Sequence, residues 1–441
     1  MGIPEEALSF PPIAEGKTKR IFEMTDGLAR VIVVSKDDIT AGDGAKHDII
    51  DGKAKLANQT TCNVFRLLKD CGIPVAFEEE FASSDIPAYG FTAPKCAMLP
   101  YEVVVRREAH GSYLKRAPHL AKGHIFPQLV LEFYLKTSGK KWKNHELVCD
   151  DPLMIYDAAE NLVHLYNPKQ PNLPQTPAQP FLVLPGEEVE SRGNERVLRE
   201  IMGTCAKTTF LILEKAWQLQ GRKLVDFKVE FGLSPNGVLM LADVIDNDSW
   251  RVMDASGGYI DKQVYRDGGD LNEVTSKYQQ VAELTSRFSL PHQQLILWRG
   301  SDKDDFNLFH GPLRKLIPGY ELKTSEVTCS MHKQPARAYR MLQRLISEVP
   351  DSVLLAYVGM SNGAGPTLAA NATVPVITVP ASYKKFPEDV WSSLRMPSNV
   401  PVMTVLNPAN AVLAALQILA LRNPLIYATL RFDQEKRLTE I

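Results

Sequence analysis

Two carboxylates, Glu230 and Asp243, stand in the stretch "VDFKVEFGLSPNGVLMLADVIDNDSW", residues 225 to 250. Strand alternation puts Asp226, Lys228 and Glu230 on one face and Val225, Phe227, Val229 and Phe231 on the other. Asn236-Gly237 is the preferred pair for a two-residue hairpin loop, and with that loop Glu230 falls opposite Asp243. Directly opposed side chains lie roughly 4.5–5.5 Å apart at Cβ, where like charges repel. A solvated face is the ordinary fate of strand carboxylates. A divalent cation is the chemical alternative, because Mg²⁺ takes one or two carboxylates together with substrate phosphates.

Three further clusters could hold anions. "AEGKTKRIFE" sets Lys17 and Lys19 beside Gly16 in a strand-turn context suited to phosphate, although "GKT" lacks the Walker spacing. "EVVVRREAHGS" brings Arg106 and Ser112, and "DSWRVMDASGGYIDKQVYR" adds Arg251, Lys262 and Arg266. Taken singly, each of these cations reads as a surface residue. Towards the C-terminus, "GSDKDD", "SMHK" and "GMSNGAG" each follow a predicted strand. His332 lies in the second of these. A histidine there suits proton movement near neutral pH, yet alone it reads as a plain loop residue.

These residues need elements to position them. At 441 residues the chain is too long for one ordinary domain. A net charge of −2 gives no bulk attraction to nucleic acid or anionic membrane. Six scattered cysteines without CxxC spacing favour reduced thiols and a cytoplasmic protein. The N-terminus has no signal-peptide pattern, and "AVLAALQILAL" (411–421) is too short to span a bilayer. Strands are predicted within 13–40 around Thr25-Asp26-Gly27, at 94–107 and at 127–136, and helices over 53–72, 194–221 and 271–288. The Pro-rich stretch 137–195 reads as a surface excursion. Beyond residue 292 strands alternate with helices, which implies a parallel sheet with ligands at its carboxyl ends.

In order, "EGKTK", "SKDDITAGDGAKHD", "MLPYEVVVRREAHGSYLKR", "LVDFKVEFG", "LADVIDNDSWR" and "DKQVYR" resemble the phosphoribosylaminoimidazole-succinocarboxamide (SAICAR) synthetase family. The resemblance implies an α+β, ATP-grasp-like ligase domain over 1–270. The implied reaction joins L-aspartate to carboxyaminoimidazole ribonucleotide (CAIR) with ATP. It makes Glu230 and Asp243 ligands of Mg²⁺. It places Gly16, Lys17, Lys19, Lys95, Met98 and Lys228 at ATP, and Arg106, Ser112, Arg251, Lys262, Arg266 and Asp43 at the nucleotide substrate. Where the family carries a compact acidic segment after the strand ending near 136, this chain has "KTSGKKWKNHELVCDDP", with Asp150 and Asp151 as the corresponding acids.

A helical linker at 271–291 is expected to lead into 292–441. There "GSDKDD", "SMHK", "GMSNGAGPTLAANATVPVI" and "DVWSSLRMPSNVPVMTVL" resemble aminoimidazole ribonucleotide (AIR) carboxylase, of the type fused to the synthetase in animals. That resemblance implies a three-layer α/β domain that adds CO₂ to AIR without biotin. His332 would move the displaced proton and the glycine-rich loop with Ser361, Asn362 and Gly363 would hold the carboxyl group. Ser301, Asp304 and Lys333 would take the ribose and phosphate. Lys303, Met331 and Ala372 depart from the family pattern, and Met331 is expected to crowd the loop carrying His332. The alternative is therefore a ligase whose C-terminal half only assembles the protein. The family's common assembly is an octamer, with the helix at 411–421 as a buried or intersubunit element.

Overall fold

The computed structural model describes residues 4–41, 46–83, 88–173, 175–190, 195–359 and 363–439. The chain divides into two units, residues 1–289 with 434–441, and residues 290–433.

In the first unit, a five-stranded antiparallel sheet contains β1 (Lys19–Glu23), β2 (Arg30–Ser35) and, beside β2, the strand Ala88–Pro94, here β3. Val31 to Val34 are all buried, as a run of β-branched residues would be on a sheet covered on both sides. Helix α1 (Lys53–Asp70) lies against this sheet; the Asp37 carboxylate accepts a bond from Ala54 N at its start. Strands β4 (Ala97–Glu108) and β5 (Ile125–Leu135) belong to a second, eight-stranded antiparallel sheet. Helix α2 (Glu195–Leu219) packs on one face of it, and β6 (Lys223–Leu233), the strand next to the sheet's edge, pairs with β4. Phe210 meets Phe227, and Trp217 meets Trp250, in edge-on aromatic pairs that seal this face.

One edge of β6 is shared by two short strands. β7 (Leu239–Ala242) pairs with its C-terminal part and β8 (Trp250–Met253) with its N-terminal part. The hairpin register differs from the sequence expectation by one residue, since Glu230 faces Ala242, not Asp243. Gly237 N bonds Ser234 O and Ser234 N bonds Val238 O. Pro235, Asn236 and Gly237 thus form a three-residue loop, with Gly237 at φ 77°.

The stretch 137–195 is also more regular than expected. Leu153–Asp157, Leu162–Tyr166 and Leu182–Pro185 extend the eight-stranded sheet. Helix α3 (Leu271–Thr285) buries Val274 and Tyr278 against Ile39, Ile50 and Tyr265 within the first unit.

The second unit has a parallel sheet built on β9 (Gln294–Arg299), β10 (Lys323–Thr328), β11 (Ser352–Val358), β12 (Val376–Pro380) and β13 (Met403–Thr404), in the order β10-β9-β11-β12-β13. Helices α4 (Asn307–Leu316), α5 (Pro335–Glu348), α6 (Ala364–Asn371) and α7 (Pro408–Leu419) flank it. One face is filled by a core with α4 and α7, the other by a core with α5 and α6. Ala411, Val412, Ala415, Leu416 and Leu419 are buried in the first of these cores, so α7 is an internal helix of its own unit. The order reverses between β9 and β11, the kind of crevice where open α/β sheets bind ligands. All six cysteines are free thiols. Among the described residues no helix is long and apolar enough to cross a membrane.

Candidate functional site

In the first unit a cavity of about 340 Å³ lies between the two sheets. Its apolar wall comes from Ile21, Val31, Val33, Phe91 and Ala93, and Met98 also lines it. Lys19, Lys95, Lys136, Glu230 and Asp243 supply its charge. A flat heteroaromatic ring suits the apolar wall and phosphates suit the lysines. Asp243 reaches this cavity despite the shifted register. β7 ends at Ala242, and Asp243 takes a left-handed φ of 68°, which redirects its side chain.

The carboxylates stand among cations. Glu230 is 4% exposed and accepts two bonds from Lys136 Nζ, at 2.8 and 2.6 Å, and one from Lys228 Nζ at 3.3 Å. Burial pushes the Glu230 carboxyl up, but Lys228 and Lys136 outweigh it and hold it below the usual range. Lys228 also bonds Glu102 at 2.6 Å, and its acidity is lowered by Glu102 and Glu230 against burial. Lys19 is paired with Asp243, and burial brings its pKa down to about 8. Gly16 and Lys17 form the exposed turn before Lys19, where Gly16 N bonds Lys19 O, and do not line the cavity. Lys95 bonds Glu23 at 2.5 Å.

Sequence reasoning missed Lys136. Its signal was parity, because Glu132, Tyr134 and Lys136 alternate along the end of β5 on the face that Glu102 and Glu230 share. Asp151 accepts a bond from Thr137 N at 2.9 Å, which ties the replaced acidic segment to this strand end.

The same sheet face carries a second polar centre, four residues along β6 from Glu230, or roughly 13 Å. Arg106 donates to Glu132 at 2.7 Å and to Asp226 at 2.6 Å, and Arg251 also donates to Asp226, at 2.7 Å. Arg106 is buried, so these are charge-assisted bonds in a poorly solvated place. Gly111, at φ 55°, lets Arg251 approach, since a Cβ there would stand 2.3 Å from Arg251 Nη2. Ser112 begins a short helix beside it. Gln263 joins Arg251, at 3.3 Å, to Arg266, at 3.4 Å. Lys262 instead bonds Asp248 at 3.1 Å. Asp43, Ser361 and Asn362 lie outside the described residues.

In the second unit the predicted residues gather at the carboxyl ends of β9, β10 and β11. The His332 ring lies against Gly363, where a Cβ would be 2.4 Å from Nε2, and Asp304 Oδ1 faces Gly359. Burial pushes the Asp304 carboxyl above its usual range. Ser301 and Lys333 are exposed on the same loops. Met331 does not crowd His332. It is 8% exposed and packs into the core with Trp298, Ala338 and Leu342, anchoring the loop from below. Ala372 packs at the edge of that core, and Lys303 is exposed.

The fold and sites define a cleft with an apolar wall and paired carboxylates on antiparallel sheets, joined to a parallel α/β unit with a strand-end site. The SAICAR synthetase family model matches residues 12–163 and 187–285, and the AIR carboxylase model residues 299–440. "Probable multifunctional protein ADE2" of Caenorhabditis elegans is 34% identical over 96% of this chain and 93% of its own length. "Bifunctional phosphoribosylaminoimidazole carboxylase/phosphoribosylaminoimidazole succinocarboxamide synthetase" of Homo sapiens is 32% identical over 95% and 92% respectively. A solved structure, "SAICAR synthetase (Type-2) in complex with ADP", matches at TM-score 0.47 and 29% identity, over 62% of this chain and 97% of that one. The chain belongs to the SAICAR synthetase family, in the form that continues into an AIR carboxylase unit.

Proposed function

We propose that the chain is a bifunctional enzyme of purine biosynthesis. Its first unit ligates aspartate to CAIR with ATP, giving SAICAR, ADP and phosphate, and its second carboxylates AIR with CO₂ to give CAIR. The observation that carries the ligase reading is the convergence of Glu230, Asp243 and Lys19 on one cavity with an apolar wall.

A carboxylate is a poor electrophile, and transfer of the terminal phosphoryl of ATP to it makes an acyl phosphate. The aspartate amine then attacks that carbon, and phosphate leaves. Lys19, with Gly16 and Lys17 at the turn before it, holds the ATP phosphates, and Lys95 and Met98 meet the adenine. Lys228 and Lys136 balance the charge of Glu230 and of the transferring phosphoryl. Glu230 and Asp243 fit Mg²⁺. Two carboxylates, Glu230 and Asp243, reach the cavity beside the lysines that would meet the phosphates. That matches an ion bound by few side chains plus substrate phosphates. Mg²⁺, when bound there, would neutralise charge on the phosphates. Arg106, Ser112, Arg251, Lys262, Arg266 and Asp43 take the phosphate, carboxylate and imidazole of CAIR.

In the second unit His332 takes the proton displaced from the imidazole carbon of AIR. Ser361, Asn362 and Gly363 hold the carboxyl group, while Ser301, Asp304 and Lys333 hold the ribose phosphate. CO₂ adds directly, without biotin. The six free thiols support a cytoplasmic setting. Assembly as a homo-oligomer, an octamer through the second unit, is carried over from the resemblance alone.

The test supplies purified protein with AIR and bicarbonate, and separately with CAIR, aspartate and Mg-ATP. CAIR formation above the spontaneous rate, and ADP formation that needs both CAIR and aspartate, are expected. Absence of the first would leave a monofunctional ligase, and absence of the second would remove the ligase reading.

A further inference from the structure

Arg299, the last residue of β9, is that strand's contribution to the crevice where the sheet order reverses. Its guanidinium reaches two loops at once. Nε donates to Thr328 Oγ1 at 2.7 Å, at the end of β10, the strand that runs into His332. Nη1 donates to the Asp304 carbonyl at 2.6 Å and Nη2 to the Asp302 carboxylate at 3.0 Å, both in the loop after β9. The guanidinium carbon also lies 4.6 Å from the centre of the Phe306 ring, at the start of α4. The main chain repeats the link, with Cys329 N bonded to Arg299 O at 2.9 Å.

Those two loops carry the residues on which the carboxylase reading depends. One holds Ser301 and Asp304, whose carboxylate faces Gly359. The other holds His332, whose ring lies against Gly363. Apart from strand pairing that stops at Thr328, the spacing between Asp304 and His332 is set by what ties their loops together. We infer that Arg299 is a positioning residue of the second site, a planar brace that fixes the Ser301–Asp304 loop against the His332 loop.

The inference rests on the carboxylase reading of this site. Two features distinguish a brace from a cation that touches substrate phosphate directly. The guanidinium offers donors in three fixed directions, which an ammonium cannot reproduce. Its charge is also met by Asp302 at 3.0 Å, so it is partly neutralised before any ligand arrives.

The experiment measures kcat and KM for AIR in the full-length protein and in Arg299→Leu, Arg299→Lys and Thr328→Val, with ligase rate and Tm recorded on the same samples. A site loosened by a fraction of an ångström to an ångström loses roughly 10- to 100-fold in kcat/KM, and that loss is expected for Arg299→Leu. Arg299→Lys should remain at least about fivefold impaired, because charge is kept and the fork is lost. Thr328→Val removes one strut at constant shape and should lower kcat/KM by about 3- to 10-fold. The ligase rate should stay at the wild-type value throughout. Full rescue of KM by lysine would overturn the brace in favour of direct phosphate contact. Wild-type kcat/KM in both Thr328→Val and Arg299→Lys would overturn it even if Arg299→Leu failed to fold. A wild-type protein that does not carboxylate AIR would remove the carboxylase reading and the brace with it, whereas an active wild type with unaffected variants removes the brace alone.

Discussion

Met331 shows how one side chain's direction changes a functional argument. Read in sequence, a bulky residue before His332 obstructs a catalytic loop. In the structure it points into the core beneath the loop, among Trp298, Ala338 and Leu342. The two accounts make opposite predictions for Met331→Ala. A buried anchor costs about 2–3 kcal/mol when truncated, because the cavity left behind collapses only in part. Thermal or urea unfolding should therefore show a less stable second unit, with carboxylation no faster than wild type. A faster enzyme of unchanged stability would restore the crowding account. Lys136 is the converse case. It was absent from the sequence reading because its partner, Glu230, lies 94 residues away. Parity along a strand says which face a residue shares; it does not say which distant strand lies beside it.

At the scale of elements, long periodic segments were legible and loop geometry was not. The helices at 53–70 and 195–219 and the strand at 223–233 follow their apolar spacing closely. The hairpin failed by one residue, because "SPNG" was read as a two-residue Asn-Gly loop. Proline at the first central position of a type I turn, with glycine following in the left-handed region, was the signal for the longer loop. The pair of carboxylates still meets one cavity because Asp243 itself turns out of the strand.

A similar close approach gives a prediction at Gly111. Alanine there would be strained at φ 55° and would collide with Arg251. Gly111→Ala is expected to displace Arg251 from Asp226 and raise the KM for CAIR about tenfold, on the scale of one charge-assisted bond. A KM unchanged within twofold would contradict this.

Asp261 links β8 to the segment after it, accepting bonds from Val252 N at 2.6 Å and Gln263 N at 2.7 Å. Burial pushes its carboxyl up to about 7, although both N–H donors pull it down. The native state therefore keeps a proton that the unfolded chain releases near pH 4. Its contribution to stability is full below about pH 4 and is lost as pH rises through 7. Asp261→Asn should flatten the fall in Tm between pH 5 and 7.5, and an unchanged slope would contradict the assignment.

Across the whole molecule, the two units are built on different principles. The first uses antiparallel sheets and places its charges along one face of β6, from Asp226 to Glu230. The second gathers its groups at the ends of parallel strands. The ordered motifs made this division readable, because each cluster lies within one or two adjacent elements. The buried ion pairs of Arg106 with Glu132 and Asp226 were not readable, since their partners lie 26 and 120 residues away.

Separate sites imply separable activities. The most direct test of the account is a double substitution, Glu230→Gln with Asp243→Asn, in which ADP release dependent on CAIR and aspartate is measured beside CAIR formation from AIR on the same sample. The account predicts that ligase turnover falls by at least about 10³-fold, as expected when charge stabilisation at the phosphoryl group is removed, while carboxylation proceeds at the wild-type rate. Ligase turnover within tenfold of wild type, or loss of both activities in a folded protein, would contradict it.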